Sequence, residues 1–172
     1  ATFDQAGFAQ QIGSLSGAGT VTDTGAAATF TVSAGAFYTG NFTGTTALRA
    51  AGGDVVLFSG SNTAGPVTVD AGRLFFSSQA ALGSNVVTVN AGSILDYFGG
   101  SALSLNNTNI TIASGSGVAS RAANLTLPSS TTLPTSGTLY INFDDTPTST
   151  LTIPAGVTLT GTLTVQVGGG NA

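Results

Sequence analysis

Pro66-Val67-Thr68-Val69-Asp70-Ala71-Gly72 and Val86-Val87-Thr88-Val89-Asn90-Ala91-Gly92 stand twenty residues apart and match almost position for position. In each, two valines flank a threonine, and an Ala-Gly pair follows. Alternation of apolar and polar residues with a period of two places every second side chain on one face of a strand. Glycine after such a run supplies a turn with positive φ at no steric cost. The phrase is therefore a strand with one buried face followed by a corner.

Working outward, the same phrase recurs as Val32-Ser33-Ala34-Gly35 and Ile153-Pro154-Ala155-Gly156, and more loosely as Ile112-Ala113-Ser114-Gly115. Gly52 and Gly137 fill the gaps. The series Gly35, Gly52, Gly72, Gly92, Gly115, Gly137, Gly156 advances by 17 to 23 residues per step. A repeat of this length is the signature of a solenoid. Alternation continues at Phe30/Val32, Ile110/Ile112, Leu139/Ile141/Phe143, Leu151/Ile153 and Leu163/Val165/Val167. Helix is disfavoured because glycine and β-branched residues dominate. Ala26-Ala27-Ala28 and Arg121-Ala122-Ala123 are the only helix-friendly patches, and neither extends into a 3.6-residue pattern.

The expected fold is all-β, a right-handed parallel β-helix of about seven to eight coils of ~20 residues, forming one domain over residues 1–172. Stacked coils share a continuous core that no single coil could build. Phe30, Phe75, Leu82, Leu95, Ile112, Leu127, Ile141 and Leu159 are expected inside. Asn62, Asn85, Asn90 and Asn106 are expected near turns, where asparagine tolerates left-handed geometry.

These phrases resemble the autotransporter-associated β-strand repeat of bacterial passenger regions and secreted surface proteins. The likeness rests on Val67-Thr68-Val69-Asp70-Ala71-Gly72-Arg73-Leu74, on Ala80-Ala81-Leu82-Gly83, on Val87-Thr88-Val89-Asn90-Ala91-Gly92 and on the opening Ile12-Gly13-Ser14-Leu15-Ser16-Gly17-Ala18-Gly19-Thr20-Val21. It covers residues 12–21 and 60–98. It implies a passenger-type β-helix at a bacterial surface and carries no chemistry.

Composition narrows function further. Charged residues are 6% of the chain: three arginines and seven aspartates, with no lysine, glutamate, histidine, cysteine, methionine or tryptophan. An average soluble domain carries roughly 25%. Three arginines cannot neutralise a nucleic-acid backbone. Without cysteine or histidine there is no disulfide framework, no metal site built on those residues and no Ser-His-Asp triad. No apolar run approaches the ~18 residues of a membrane-spanning helix. No cofactor and no enzymatic activity are expected. Ala1 suits the position after signal-peptidase cleavage, with trimming of an initiator methionine as the plainer alternative. Secretion to the extracellular side is the expectation.

Several constellations invite chemistry and read better as structure. Asp144-Asp145 is the only adjacent carboxylate pair, but neighbouring strand residues point to opposite faces, and Asp144-Asp145-Thr146-Pro147 reads as a polar turn. Gly52-Gly53-Asp54 is one truncated copy of a calcium-binding repeat that needs tandem copies, so a turn is expected. Asp70, Asn90 and Asp96 could line one coil edge, although turn chemistry suffices. Asn41, Asn106, Asn109 and Asn124 open Asn-x-Ser/Thr sequons. Tyr38, Tyr97 and Phe98 are candidate exposed aromatics for a weak carbohydrate platform.

The ends of the stack give the leading functional expectation. Open β-edges invite pairing, and lysine, inward charges or capping elements are the usual guards. The last coil, from Leu159 through Leu163, Val165 and Val167, carries no charge, and Phe3 and Phe8 bracket a single Asp4. Segments 1–11 and 159–172 are expected to meet other copies of the chain. The leading expectation is a secreted, self-assembling filament or sheath subunit. The alternative is a monomeric adhesin or carbohydrate-binding passenger fragment.

Overall fold

The computed structural model describes residues 1–57, 60–121, 123–143, 149–157, 160 and 162–167, with backbone alone at 142–143 and 165–167. The chain is all-β and winds as a parallel β-solenoid of about 7 turns with ~21 residues per turn.

Each coil presents three faces. The first belongs to a seven-stranded sheet whose members include Thr29–Val32, Ala47–Ala50, Val67–Val69, Val87–Val89 and Ile110–Ile112. The second is an eight-stranded sheet running from Leu15–Gly17 through Asp54–Leu57, Gly72–Phe76, Ser93–Tyr97, Ser116–Ser120 and Thr138–Phe143 to Thr162–Val167. Two three-stranded sheets make the third: Thr2–Asp4, Thr20–Asp23 and Asn41–Gly44 at one end, Leu103–Ser104, Leu125–Thr126 and Leu151–Thr152 at the other.

Register follows directly from the alternation. Val67, Thr68 and Val69 pair in parallel with Val87, Thr88 and Val89, which pair with Ile110, Thr111 and Ile112. The valine and isoleucine columns are buried completely or nearly so. Val32, Ala50, Val69, Val89 and Ile112 form one inward column, and Val55, Leu74, Leu95, Val118 and Ile141 face it from the second sheet. Each valine, leucine or isoleucine so removed from water contributes about 1.5–3 kcal/mol. Every column is shared by neighbouring coils, so no coil holds its core alone.

The expected core holds for Phe30, Leu82, Leu95, Ile112, Leu127 and Ile141. Leu159 lies outside the described residues. Phe75 is a correction: Leu74 and Phe76 point inward, and Phe75 takes the outer face. Two adjacent phenylalanines leave the phase of a strand ambiguous, and the corner at Gly72 sets it one residue from the expected position.

Three further corrections concern local geometry. The helix among the described residues is the single turn Gln79–Leu82, and the third face of its coil is helical there rather than stranded. Ser78 caps it by accepting from Ala81 N at 3.1 Å, and Gly83 closes it. Serine before and glycine after are the ordinary start and stop signals. The turn glycines behave as expected at Gly72, Gly92, Gly115, Gly137 and Gly156, all with positive φ. At the third coil, however, Gly53 rather than Gly52 takes the left-handed conformation, and Gly35 does not adopt it. Among the described residues no asparagine has positive φ, and the non-glycine residue that does is Ala6. The asparagines instead tie coils together. Asn62 Nδ2 donates to Leu82 O at 3.2 Å, and Asn107 Nδ2 donates to Gly83 O and Asn85 O at 3.0 and 2.8 Å.

Candidate functional site

Outward residues differ sharply among the faces. On the seven-stranded sheet the outer column reads Thr31, Arg49, Thr68, Thr88, Thr111, Thr132, and on the last third-face sheet Ser104, Thr126, Thr152. The eight-stranded sheet breaks this hydroxyl pattern. One of its outer columns is Asp54, Arg73, Ile94, Gly117, Tyr140; the next is Phe37, Val56, Phe75, Asp96, Ala119. Four charged side chains and most of the outward aromatics of the described chain share this face.

Asp96 is its centre. It sits at an outward position yet is 0% exposed. Arg121 Nε donates to both carboxylate oxygens at 3.1 and 2.9 Å, and its Nη2 lies 2.9 Å from Oδ2. Arg73 Nη1 approaches the same oxygen at 3.5 Å. The Arg121 guanidinium lies 4.9 Å from the centre of the Phe75 ring, and Phe98 meets Phe75 edge-on at 6.3 Å. A buried carboxylate is tolerated only when paired; here two arginines and two rings enclose it.

Two adjoining hollows flank this cluster and share Asp54. One, about 370 Å³, is lined by Arg73, Ile94, Gly117 and Tyr140 beside the corner glycines. The other, about 350 Å³, is lined by Val56, Phe75, Phe98 and Arg121.

Asp70, Asn90 and Asp96 do not form one edge. Asn90 donates to Asp70, which also accepts from Arg49, all at the corner leaving the seven-stranded sheet. Burial raises the Asp70 carboxyl, but the Arg49 and Asn90 contacts outweigh it and hold the group below the usual carboxylate value. Asp96 lies on the eight-stranded sheet instead. Asp54 opens a strand after its glycines, as the turn reading requires. Among the described residues no cluster of three acidic, histidine or cysteine side chains could hold a metal ion. Asp144-Asp145 lies outside the described residues. Two sequon asparagines serve as coil ties: Asn41 Oδ1 accepts from Ser61 N at 2.9 Å and Asn124 Oδ1 from Thr150 N at 3.1 Å.

Tyr38 and Tyr97 correct the aromatic-platform expectation: both are buried, and of the three candidates Phe98 alone is partly exposed. Each tyrosine folds back over the glycine two residues on, Gly40 and Gly99, where a Cβ would collide with its ring or hydroxyl. Tyr38 Oη donates to Gly19 O at 2.8 Å and Tyr97 Oη to Ser101 O at 2.5 Å. The Tyr-x-Gly spacing was the available signal.

Burial raises both phenols above their ordinary value, against the smaller opposing effect of a backbone hydrogen bond. A raised folded-state value favours the neutral phenol, so this contribution is complete below about pH 10 and is lost as pH rises through the folded-state values. The chain has three tyrosines and neither lysine nor cysteine to mask them. We expect the denaturation midpoint to fall steeply above about pH 10, and the fall to flatten in the double variant Tyr38→Phe/Tyr97→Phe. An unchanged alkaline slope would refute it.

The residues expected at assembly contacts sit at the two ends. Phe3 is 47% exposed and Phe8 70%, both near the first rung, and Leu163 is 40% exposed in the last strand. Val165 and Val167 belong to that strand without described side chains, and Leu159 is outside the described residues.

Comparison with protein-family models, with curated proteins and with solved structures gives no match.

Proposed function

We propose that this chain is a structural subunit of an extracellular filament or sheath, joining further copies of itself end to end by parallel strand pairing. The observation carrying this reading is that, among the described residues, the inward apolar columns run on to the end rungs and stay partly exposed there. Phe3, Ile12 and Leu15 occupy the same columns as buried Val21, Val32 and Ala36, yet all three are partly exposed. At the far end Leu163 continues the column of buried Leu139. The edge strands Thr2–Asp4, Gln10–Ile12, Leu15–Gly17 and Thr162–Val167 carry one charged residue, Asp4. An edge this poor in charge lacks the usual guard against pairing. Joining the two ends is a heterologous contact, which propagates unless its rotation closes.

Sedimentation and negative-stain imaging of the 172-residue chain test the reading. Rods longer than one solenoid are expected, and Phe3→Asp/Leu163→Asp should reduce them to a 16.7 kDa species. A wild-type chain that stays at 16.7 kDa at high concentration overturns it.

A further inference from the structure

We propose that the outer face of the eight-stranded sheet binds a neutral, extended oligosaccharide lying along the solenoid axis. This site is separate from the end rungs and does not depend on assembly.

The face has the parts such a ligand needs. Sugar rings present C–H faces that stack on aromatic rings, and hydroxyls that bond planar guanidinium and carboxylate groups. Phe75, Phe98 and Tyr140 supply the rings; Arg73, Arg121 and Asp54 supply the polar groups. Ligand sites typically combine an apolar lining with a few fixed polar groups. Arg121 is fixed by its double contact with Asp96 and by the Phe75 ring.

Shape agrees with this. Gly117 stands between Ile94 and Tyr140 in the outer column, and a Cβ there would lie 2.7 Å from Tyr140 O. Glycine there lets the Tyr140 rung pack closely on the coil beneath it, and Gly117 itself lines the first hollow. The hollows extend from Asp54 in the third coil to Tyr140 in the seventh, roughly 19 Å at the ordinary inter-strand spacing. That length suits several linked sugars, whose repeat in an extended chain is close to one coil.

Charge selects the ligand class. Among the described residues Asp54 and Asp96 balance Arg73 and Arg121, so these carry no net charge to attract an anionic polymer or a nucleic acid. The outer column of the seven-stranded sheet offers hydroxyls and Arg49 at the same spacing but no aromatic ring.

Calorimetric titration with six-unit β-1,4-linked gluco- and xylo-oligosaccharides, and with an acidic oligogalacturonate, tests the proposal. Binding of a neutral probe is expected, about tenfold weaker in Tyr140→Ala and unchanged in Thr111→Ala. Asp54→Asn, exposed and nearly isosteric, should also weaken it. Failure of both neutral probes, preference for the acidic one, or equal losses in Tyr140→Ala and Thr111→Ala would each overturn it.

Discussion

Gly72→Ala is expected to cost about 4 kcal/mol of folding stability and Gly92→Ala about 1 kcal/mol, although both glycines end the same sequence phrase. Both have positive φ, 74° and 80°, and a left-handed L-residue costs about 1–2 kcal/mol. That is the whole of the expected loss at Gly92, where an added Cβ meets nothing within 4 Å. At Gly72 the Cβ would lie 2.0 Å from Gly53 O and 2.8 Å from Gly53 C. Those are backbone atoms of the coil beneath, held by a ladder that cannot open at one residue alone. Forcing a methyl into such a contact adds the upper end of the usual overpacking cost, about 3 kcal/mol.

The difference arises from corner length. Val69 to Gly72 and Ala50 to Gly53 span equal numbers of residues, so Gly72 stacks directly on Gly53. Val89 pairs Val69, but it is Ser93 that pairs Gly72, so the next corner is one residue longer and Gly92 swings free. Denaturant midpoints of the two variants measure the gap. Equal losses would mean that φ alone governs these corners.

That corner shows how far the sequence can be read. The twenty-residue match of Val67–Val69 with Val87–Val89 predicts the register, because alternation and repeat length state the same pairing twice. It does not predict stacking at the glycines, because one inserted residue leaves the phrase intact and shifts its contacts. The same limit explains Phe75-Phe76, where both candidates for the inward position are apolar. Gln79–Leu82 is too short to display a helical period, so only its Ser78 and Gly83 caps could have revealed it. The sequence offers Tyr38 only as a candidate exposed aromatic; Gly40 and the carbonyl of Gly19 let its ring fold inward. Of the candidate groove, the ring and charge types were visible in the sequence and their grouping was not. Arg121 and Asp96 lie 25 residues apart on successive coils and in different outer columns. No single repeat contains that relation.

Asp96→Ala should therefore cost about 3–5 kcal/mol, the usual loss when one partner of a buried pair is removed. Its carboxylate is fully buried and holds two guanidiniums, whose side chains are 35% exposed for Arg121 and 15% for Arg73. Removing it leaves two like charges facing one cavity against the Phe75 and Phe98 rings. Asp96→Asn keeps the shape but replaces two charged acceptor oxygens with one neutral acceptor, so an intermediate loss is expected. The Arg49–Asp70 pair supplies the contrast. Arg49 is 51% exposed, and solvent-exposed pairs contribute about 0–1 kcal/mol. Arg49→Ala should stay within that range, and added salt should weaken its effect more than that of Asp96→Ala. The triple change Asp96→Leu/Arg121→Leu/Arg73→Leu separates stability from purpose. If the cluster serves only to hold the coils, apolar replacement at similar volume should restore most of the stability lost in Asp96→Ala. The same variant, having lost its guanidinium donors, should lose oligosaccharide binding while folding. Stability that stays low in the triple variant would show that charge at this face is required by the fold itself.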